Sequence, residues 1–304
     1  MLARDYLRKE FLMPYLLLTL SALIWSGNFV ISRAMHDVIP PAGFVFWRWV
    51  VAILVLAPIA LPRLRREWPI LRANWQMICL CGLLGVTLFN FLIYTAMHTT
   101  TAINGALVNS AIPVFILMFA RIFYKQTVSL RQHIGIALSL TGVATIILQG
   151  DLARIRTLSF NRGDLLVLMA AVAWALYSVA IKRFPQGLNP FLFLFSIAAC
   201  GLVFLVPFYA MEIASGKLMV ANTATFLSIG YVGVLASVVA FMSWNSGLRQ
   251  VGPHLGGQFI HLMPAFSTLL AVFFLGERLY PFHVVGILMI FAGIACATFR
   301  AKAA

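Results

Sequence analysis

The chain has 304 residues, 62% of them hydrophobic and only 10% charged, with a mean hydropathy of +0.97. A soluble globular domain carries about 25% charged residues, so a water-soluble fold is excluded and the bilayer is the solvent that suits this composition. The net charge of +14 does not point to nucleic acid, because the basic residues sit in short breaks between apolar runs rather than in one patch. In lipid every backbone polar group must be paired internally, which leaves helices or closed barrels. Apolar runs of about 20 residues select helices. The first five are Met13 to Met35, Pro41 to Leu61, Trp75 to Met97, Ala102 to Tyr124 and Leu130 to Gln149; the second five are Asp164 to Phe184, Pro190 to Met211, Thr225 to Leu248, Leu255 to Leu275 and Pro281 to Phe299. The charged start, Met1 to Glu10, precedes a run too long for a signal-peptide core, so the first run reads as a retained helix. The predicted fold class is all-α, a polytopic membrane protein of about ten transmembrane helices.

In chain order, the first helix places Ser21, Trp25, Asn28 and Ser32 on one face. The second carries Arg48 between Trp47 and Trp49 about two turns in. Such a triplet reads as an interfacial anchor whose guanidinium reaches the headgroups, with contact to an anionic substrate as the other reading. The third helix carries Thr87, Asn90 and Tyr94 on one stripe. The fourth holds Asn104, Asn109 and Pro113, and the sixth Trp174 and Tyr177. Trp244 and Asn245 lie in the eighth, and Gly256, Gly257, Gln258, His261 and Pro264 in the ninth. Trp25 and Trp174 fall near the middle of their runs, where an interfacial belt would not put them. They read as cavity walls or as packing anchors. Each asparagine lines a cavity or bonds to a neighbouring helix, the latter worth roughly 0.6–2 kcal/mol. Pro113 and Pro264 each remove a backbone donor and bend their helices, as gate hinges or as static kinks. His261 is a ligand, a proton carrier or a packing histidine. Gly135, Gly142, Gly286 and Gly293 in helices five and ten recur at spacings of seven and permit close helix approach. These helices have the fewest polar groups and read as outer buttresses or dimer surfaces.

A shift of 149 positions takes Trp25 to Trp174, Arg33 to Lys182, Pro41 to Pro190 and Pro58 to Pro207; a later shift of 151 takes Gly105 to Gly256, Pro113 to Pro264, Gly135 to Gly286 and Gly142 to Gly293. The longest polar break, Gly150 to Gly163, separates the halves. The predicted organisation is a first five-helix repeat over 1–150 and a second over 151–304. Five is odd, so the repeats are inverted in the membrane, an arrangement typical of secondary transporters with a site at the repeat interface. With the N-terminus inside, 15 Lys and Arg fall in inside segments and six outside, which puts both termini in the cytoplasm.

All eight acidic residues fall in loops or at helix ends, and no lysine lies in a helix centre. Ionisable groups at the bilayer centre are costly and usually functional. Their absence argues against proton/cation exchange and for facilitated movement of neutral or zwitterionic amphiphiles, with histidine as the remaining proton carrier. No phosphate-binding loop, metal cluster or hydrolase serine motif occurs, and Cys79, Cys81, Cys200 and Cys296 lie in apolar runs. The reading is therefore a transporter with no catalytic residue, metal or cofactor. An intramembrane enzyme, and a membrane receptor or scaffold, are the competing classes.

The strings IWSGNFVISRAM, PPAGFVFWRWVVAIL and FLGERLYPFHVVGILMIFAG resemble the drug/metabolite transporter superfamily, specifically its ten-helix EamA-type exporters. The aromatic-rich helices look most like the aromatic amino acid and paraquat exporter type. Gln126 stands where the second half has Glu277, a departure from a duplicated acidic residue. The resemblance implies export of small amphiphilic metabolites by alternating access, most of all neutral and aromatic amino acids, with drugs or other metabolites as the alternative. Its implied setting is a bacterial inner membrane, as a monomer or weak homodimer whose partners are substrate and lipid. The candidate binding residues are Trp25, Asn28, Asn90, Tyr94, Asn109, Trp174, Tyr177, Trp244, Asn245 and His261, with Pro113 and Pro264 as hinges.

Overall fold

The computed structural model describes residues 2–100, 105, 108–127, 129–157, 161–275 and 278–298, with side chains from residue 12 onward except at 29, 33, 157, 271, 274 and 275. Asn104 and Glu277 lie outside these residues. The described elements are helical, with no strand among them. They are α1 (Leu2–Ala34), α2 (Pro41–Ala73), α3 (Trp75–Ala96), α4 (Ile112–Tyr124), α5 (Leu130–Ile147), α6 (Arg162–Arg183), α7 (Pro190–Ala214), α8 (Thr223–Val251), α9 (Leu262–Leu275) and α10 (Pro281–Thr298). Eight are long and apolar enough to cross a membrane, and α4 is a shorter apolar helix.

Packing joins the halves rather than separating them. Helix α1 lies against α8 and α9, and its repeat counterpart α6 lies against α3 and α4. Helices α2 and α7 pack together, as do α5 and α10. Exchanging the repeats maps the α1 contacts onto those of α6 and the α2–α7 and α5–α10 pairs onto themselves, as two interlocked five-helix repeats require.

Helix α2 has 33 residues, so at 1.5 Å per residue it is about 50 Å long, well beyond a ~30 Å hydrocarbon core. It continues past the apolar run and carries Glu67 into a buried position. There Glu67 accepts from Asn189 N at 2.6 Å, at the N-cap of α7. At the opposite end Glu212 of α7 accepts from Ala42 N at 3.0 Å and Gly43 N at 2.6 Å, in the first turn of α2. Each helix thus supplies a carboxylate to the other's unpaired, electropositive N-terminus.

The glycines of α5 and α10 face each other rather than an outer surface. A Cβ on Gly142 would lie 2.6 Å from the Gly286 carbonyl oxygen, and one on Gly135 2.5 Å from that of Gly293. Their spacing therefore serves the close contact between α5 and α10.

Two helices contain π-helical stretches at matching places in the repeats, Gly82–Leu88 in α3 and Val232–Val239 in α8. Spans four and nine are interrupted. Helix α4 starts only after a turn at Ser110 and Ala111, with Pro113 in its first turn. Helix α9 follows a short helix, Pro253–Gly256, and a 3₁₀ turn, Gly257–His261, with Pro264 as its third residue. A first-turn proline sacrifices no interior hydrogen bond. The interruptions are therefore the bends, and the prolines restart the helices.

Gly142→Ala should force α5 and α10 apart at a cost of roughly 1–3 kcal/mol and lower the melting temperature in detergent. Gly230→Ala, with nothing within 4 Å of the added Cβ, is the control and should leave it unchanged or raised. Equal melting temperatures for the two variants would show that the α5–α10 contact yields freely.

Candidate functional site

The candidate residues fall into three groups. The first is aromatic. Trp25 of α1 meets Trp174 of α6 edge-on at 5.0 Å between ring centroids, and Trp244 of α8 at 5.4 Å. Trp174 also contacts Phe89, Tyr177 and Phe241 at 4.5, 5.2 and 5.4 Å. All three indoles are buried. Trp25 donates to the Ala236 carbonyl at 3.0 Å, whereas the indole nitrogens of Trp174, Trp244 and the nearby Trp49 are buried without a hydrogen-bond partner. Tyr177 donates to Asn245 Oδ1 at 2.8 Å.

The second group is centred on Arg48, which the sequence reading placed at the headgroups. It is 1% exposed. The neighbouring Trp47, 37% exposed and bonded to the Tyr209 hydroxyl, takes the anchoring position instead. Arg48 Nε donates to Ser237 Oγ at 2.8 Å, and Nη1 donates to Asn90 Oδ1 at 2.9 Å and to the Tyr94 hydroxyl at 2.8 Å. Each partner in turn donates a hydrogen bond onward. Ser237 donates to the Val232 carbonyl, Asn90 to the Gly85 and Val86 carbonyls, and Tyr94 to Asn28 Oδ1 at 3.0 Å. Wide π turns leave the carbonyls that end two of these relays within reach of side chains. The ion pairs among the described residues are His36–Asp37 and Arg66–Glu67, so no described carboxylate neutralises Arg48. The two groups adjoin, since Trp25 and Arg48 bond to consecutive residues, Ala236 and Ser237.

The third group ties the interrupted spans. His261 is fully buried; its Nε2 lies 3.0 Å from the Ser110 carbonyl and its Nδ1 2.6 Å from Ser139 Oγ of α5. A carbonyl only accepts, so Nε2 carries the proton. Asn109 is adjacent and buried, with Oδ1 unpartnered. His261, Asn109, Pro113 and Pro264 thus belong to the crossing of the two breaks and not to the aromatic group. Ser237, Phe241 and Ser139 were not singled out by sequence; small hydroxyls and a phenylalanine in apolar runs carry no distinguishing signal.

Open space lies at both ends of this packed centre. A vestibule of about 860 Å³ is lined by residues including His36, Asp37, His98, Phe208, Glu212 and Lys217. Sharing His36, Pro41 and His98 with it is a crevice of about 10 Å³, bounded also by Ser32, Phe44, Tyr94 and Met97, near the lower limit for one water. Tyr94, stacked on Phe44 at 5.0 Å, therefore stands between the vestibule and Arg48. At the opposite end a depression of about 590 Å³ is lined by Lys182, Arg249, His254 and Gln126 among others.

The EamA-like transporter family matches the chain twice, over residues 12–148 and 161–299. The uncharacterized transporter YyaM of Bacillus subtilis (strain 168) is 25% identical over 287 residues, 93% of each chain. A probable terminal-alkyne amino-acid exporter of Streptantibioticus cattleyicolor is 28% identical over 283 residues, covering 91% of this chain and 90% of that one. The uncharacterized inner membrane transporter YedA of Escherichia coli (strain K12) is 28% identical over 265 residues, covering 84% and 81%. A crystal structure shares the fold with a TM-score of 0.76 at 21% identity, covering 93% of this chain and 96% of that one. With both halves matched in turn, the chain is a multi-pass membrane protein that belongs to the EamA-like transporter family.

Proposed function

We propose that this transporter exports small amphiphiles bearing a carboxylate, neutral and aromatic amino acids foremost, through the repeat interface by alternating access. The observation that carries the reading is Arg48, a buried cation bonded only to neutral groups and placed beside the aromatic group. Burying an uncompensated charge costs several kcal/mol. An arriving carboxylate removes that cost and makes charge-assisted bonds in its place. The aromatic rings supply non-directional burial for side chains of many sizes and a cation–π surface for an ammonium group. Trp25, Asn28, Asn90, Tyr94, Trp174, Tyr177, Trp244 and Asn245 are then the binding residues. His261 and Asn109 act from the crossing of the breaks, with Pro113 and Pro264 bounding the hinges.

The relays link binding to opening. A carboxylate that takes Arg48 displaces the Tyr94 hydroxyl, and Tyr94 is the floor of the crevice leading to the vestibule. Counting Lys and Arg places the Lys182/Arg249 end and both termini in the cytoplasm and the His36/His98 end outside, in a bacterial inner membrane. No described carboxylate lies in mid-span, so flux runs down the substrate gradient. The exporter named for a terminal-alkyne amino acid supports this substrate class.

Arg48→Gln should leave the melting temperature unchanged or raised, because it removes an unpaired buried charge. Its flux of phenylalanine in proteoliposomes should fall ~10–100-fold, the loss of bonds worth roughly 1.5–3 kcal/mol. Phenylalaninamide, which lacks the carboxylate, should lose far less. Equal losses for both compounds in a well-folded variant would refute the assignment. Trp174→Ala should shift preference from aromatic toward small amino acids per folded molecule; an unchanged order of preference would assign Trp174 to packing.

A pH dependence belongs to the crevice. His98 is held below its ordinary 6.5 by burial, then by His36, with Lys217 adding to this and Asp37 and Glu212 opposing it. Its ring centroid lies 6.2 Å from that of His36. The closed arrangement therefore disfavours a protonated His98, whereas a hydrated one titrates near 6.5. Opening at this end should increase as pH on that side falls below about 6.5 and should be closed by alkali. Flux measured against external pH checks this; His98→Gln should flatten the profile, and an unaltered profile would exclude His98.

A further inference from the structure

The depression at the Lys182/Arg249 end combines two features that topology charges alone do not explain. First, its cations sit on aromatic rings. Arg249 lies 4.2 Å from the Phe184 ring centroid and Lys182 4.5 Å from that of Tyr124. Neither pairs with a carboxylate among the described residues, and among those residues no acidic side chain lines the depression. Ring stacking positions a cation without cancelling its charge, so both remain available to an anion. Second, two acceptors in the same wall are buried without partners, Gln126 Oε1 and His254 Nδ1. Burial and the charge of Lys182 hold His254 below its ordinary 6.5, so it is neutral at pH 7. With the proton on Nε2, its Nδ1 accepts. A residue placed only to orient the chain in the membrane needs hydration and nothing else; it gives no reason for buried, unsatisfied oxygen and nitrogen beside it.

We propose that this depression is a second binding site, which takes the zwitterionic head of an α-amino acid. Its carboxylate meets Lys182 and Arg249, and its ammonium donates to Gln126 Oε1 and His254 Nδ1. The volume, about 590 Å³, is in the range of small-molecule pockets. The site rests on the amino-acid reading above for its ligand, but none of its residues contacts Arg48. It is a loading position, from which substrate passes to the centre when that end opens. Two cations set in a concave wall also raise the local concentration of anions before binding.

The test is equilibrium binding of labelled phenylalanine to the purified full-length chain in detergent, with folding followed by thermal melting. In the Arg48→Gln protein the central site is impaired and the second site remains, so saturable binding should persist. Adding Lys182→Gln and Arg249→Gln should weaken it at least tenfold. Adding Gln126→Ala instead should reduce the preference for phenylalanine over N-acetylphenylalanine, which lacks the ammonium. Wild-type protein that binds no phenylalanine would sink the amino-acid reading itself. Wild-type binding that vanishes entirely in Arg48→Gln, or that ignores the Lys182 and Arg249 changes, would sink the second site alone. Phosphatidylglycerol provides the lipid arm: if it displaces the label through these same two residues while phenylalaninamide competes as well as phenylalanine, the depression is a headgroup site and the proposal is overturned.

Discussion

A guanidinium without a carboxylate sets the terms for the centre of this protein. Arg48 is tolerated because each of its three partners is a group that accepts on one side and donates on the other. Ser237, Asn90 and Tyr94 turn their oxygens toward the cation and pass their own protons to Val232, to Gly85 and Val86, and to Asn28. Such polarised chains strengthen each link in a low dielectric and move charge away from the guanidinium. They need acceptors in helix interiors, where every carbonyl is ordinarily occupied. The π stretches of α3 and α8 meet that need, since their looser turns free carbonyls for side chains. Local backbone irregularity in both repeats and one buried charge are thus a single arrangement.

The scaffold around that charge is symmetric, and the charge is not. Tyr94 bonds to Asn28 and Tyr177 bonds to Asn245. Under repeat exchange Asn28 falls on Tyr177 and Tyr94 on Asn245, so the same bond recurs with tyrosine and asparagine swapped between helices. Glu67 and Glu212 likewise cap each other's helix in reciprocal fashion. The position matching Arg48 is Ile197, buried and apolar. In the proposed function, a two-fold frame that carries one cation gives an anionic ligand a single orientation, and the relays tie that ligand more closely to Tyr94 and the His36/His98 end than to the other.

The sequence made the frame readable because lipid permits few alternatives. Run length gave the spans, and paired glycines, prolines and tryptophans gave the repeat. Trp25 and Trp174 stand out by their distance from run ends. Arg48 was misplaced because adjacent helix positions differ by about 100°, so Trp47, Arg48 and Trp49 point in different directions while sharing one string. The residues buried with it, Val45, Trp49, Ala52, Leu56 and Ala60, trace one helix face that includes Arg48 and omits Trp47, and that phase was the available signal. Ser237 had none, since π turns leave no sequence mark and a lone serine in an apolar run is ordinary. The grouping of His261 with Ser110 and Ser139 was hidden because it depends on where two helices are interrupted, and the prolines marked the restarts rather than the breaks.

What moves during transport follows from how differently these contacts resist change. The α5–α10 contact is backbone against backbone at Gly135, Gly142, Gly286 and Gly293, and close packing of this kind does not slide without loss of contact. The α2–α7 pair is pinned at both ends by carboxylates on helix N-termini. The aromatic group differs: its edge-on contacts are worth roughly 0.5–1.5 kcal/mol each, and the unpartnered indole nitrogens of Trp49, Trp174 and Trp244 leave donors that are unsatisfied in the closed centre. An unsatisfied buried donor costs about 1–3 kcal/mol, so this packing retains cost in the same place as the uncompensated Arg48. On the proposed function, a ligand rich in acceptors relieves both at once. The binding energy in that proposal is largest where the packing is weakest, which would direct the rearrangement to the repeat interface and leave the glycine-packed and carboxylate-pinned pairs to hold the helices in register.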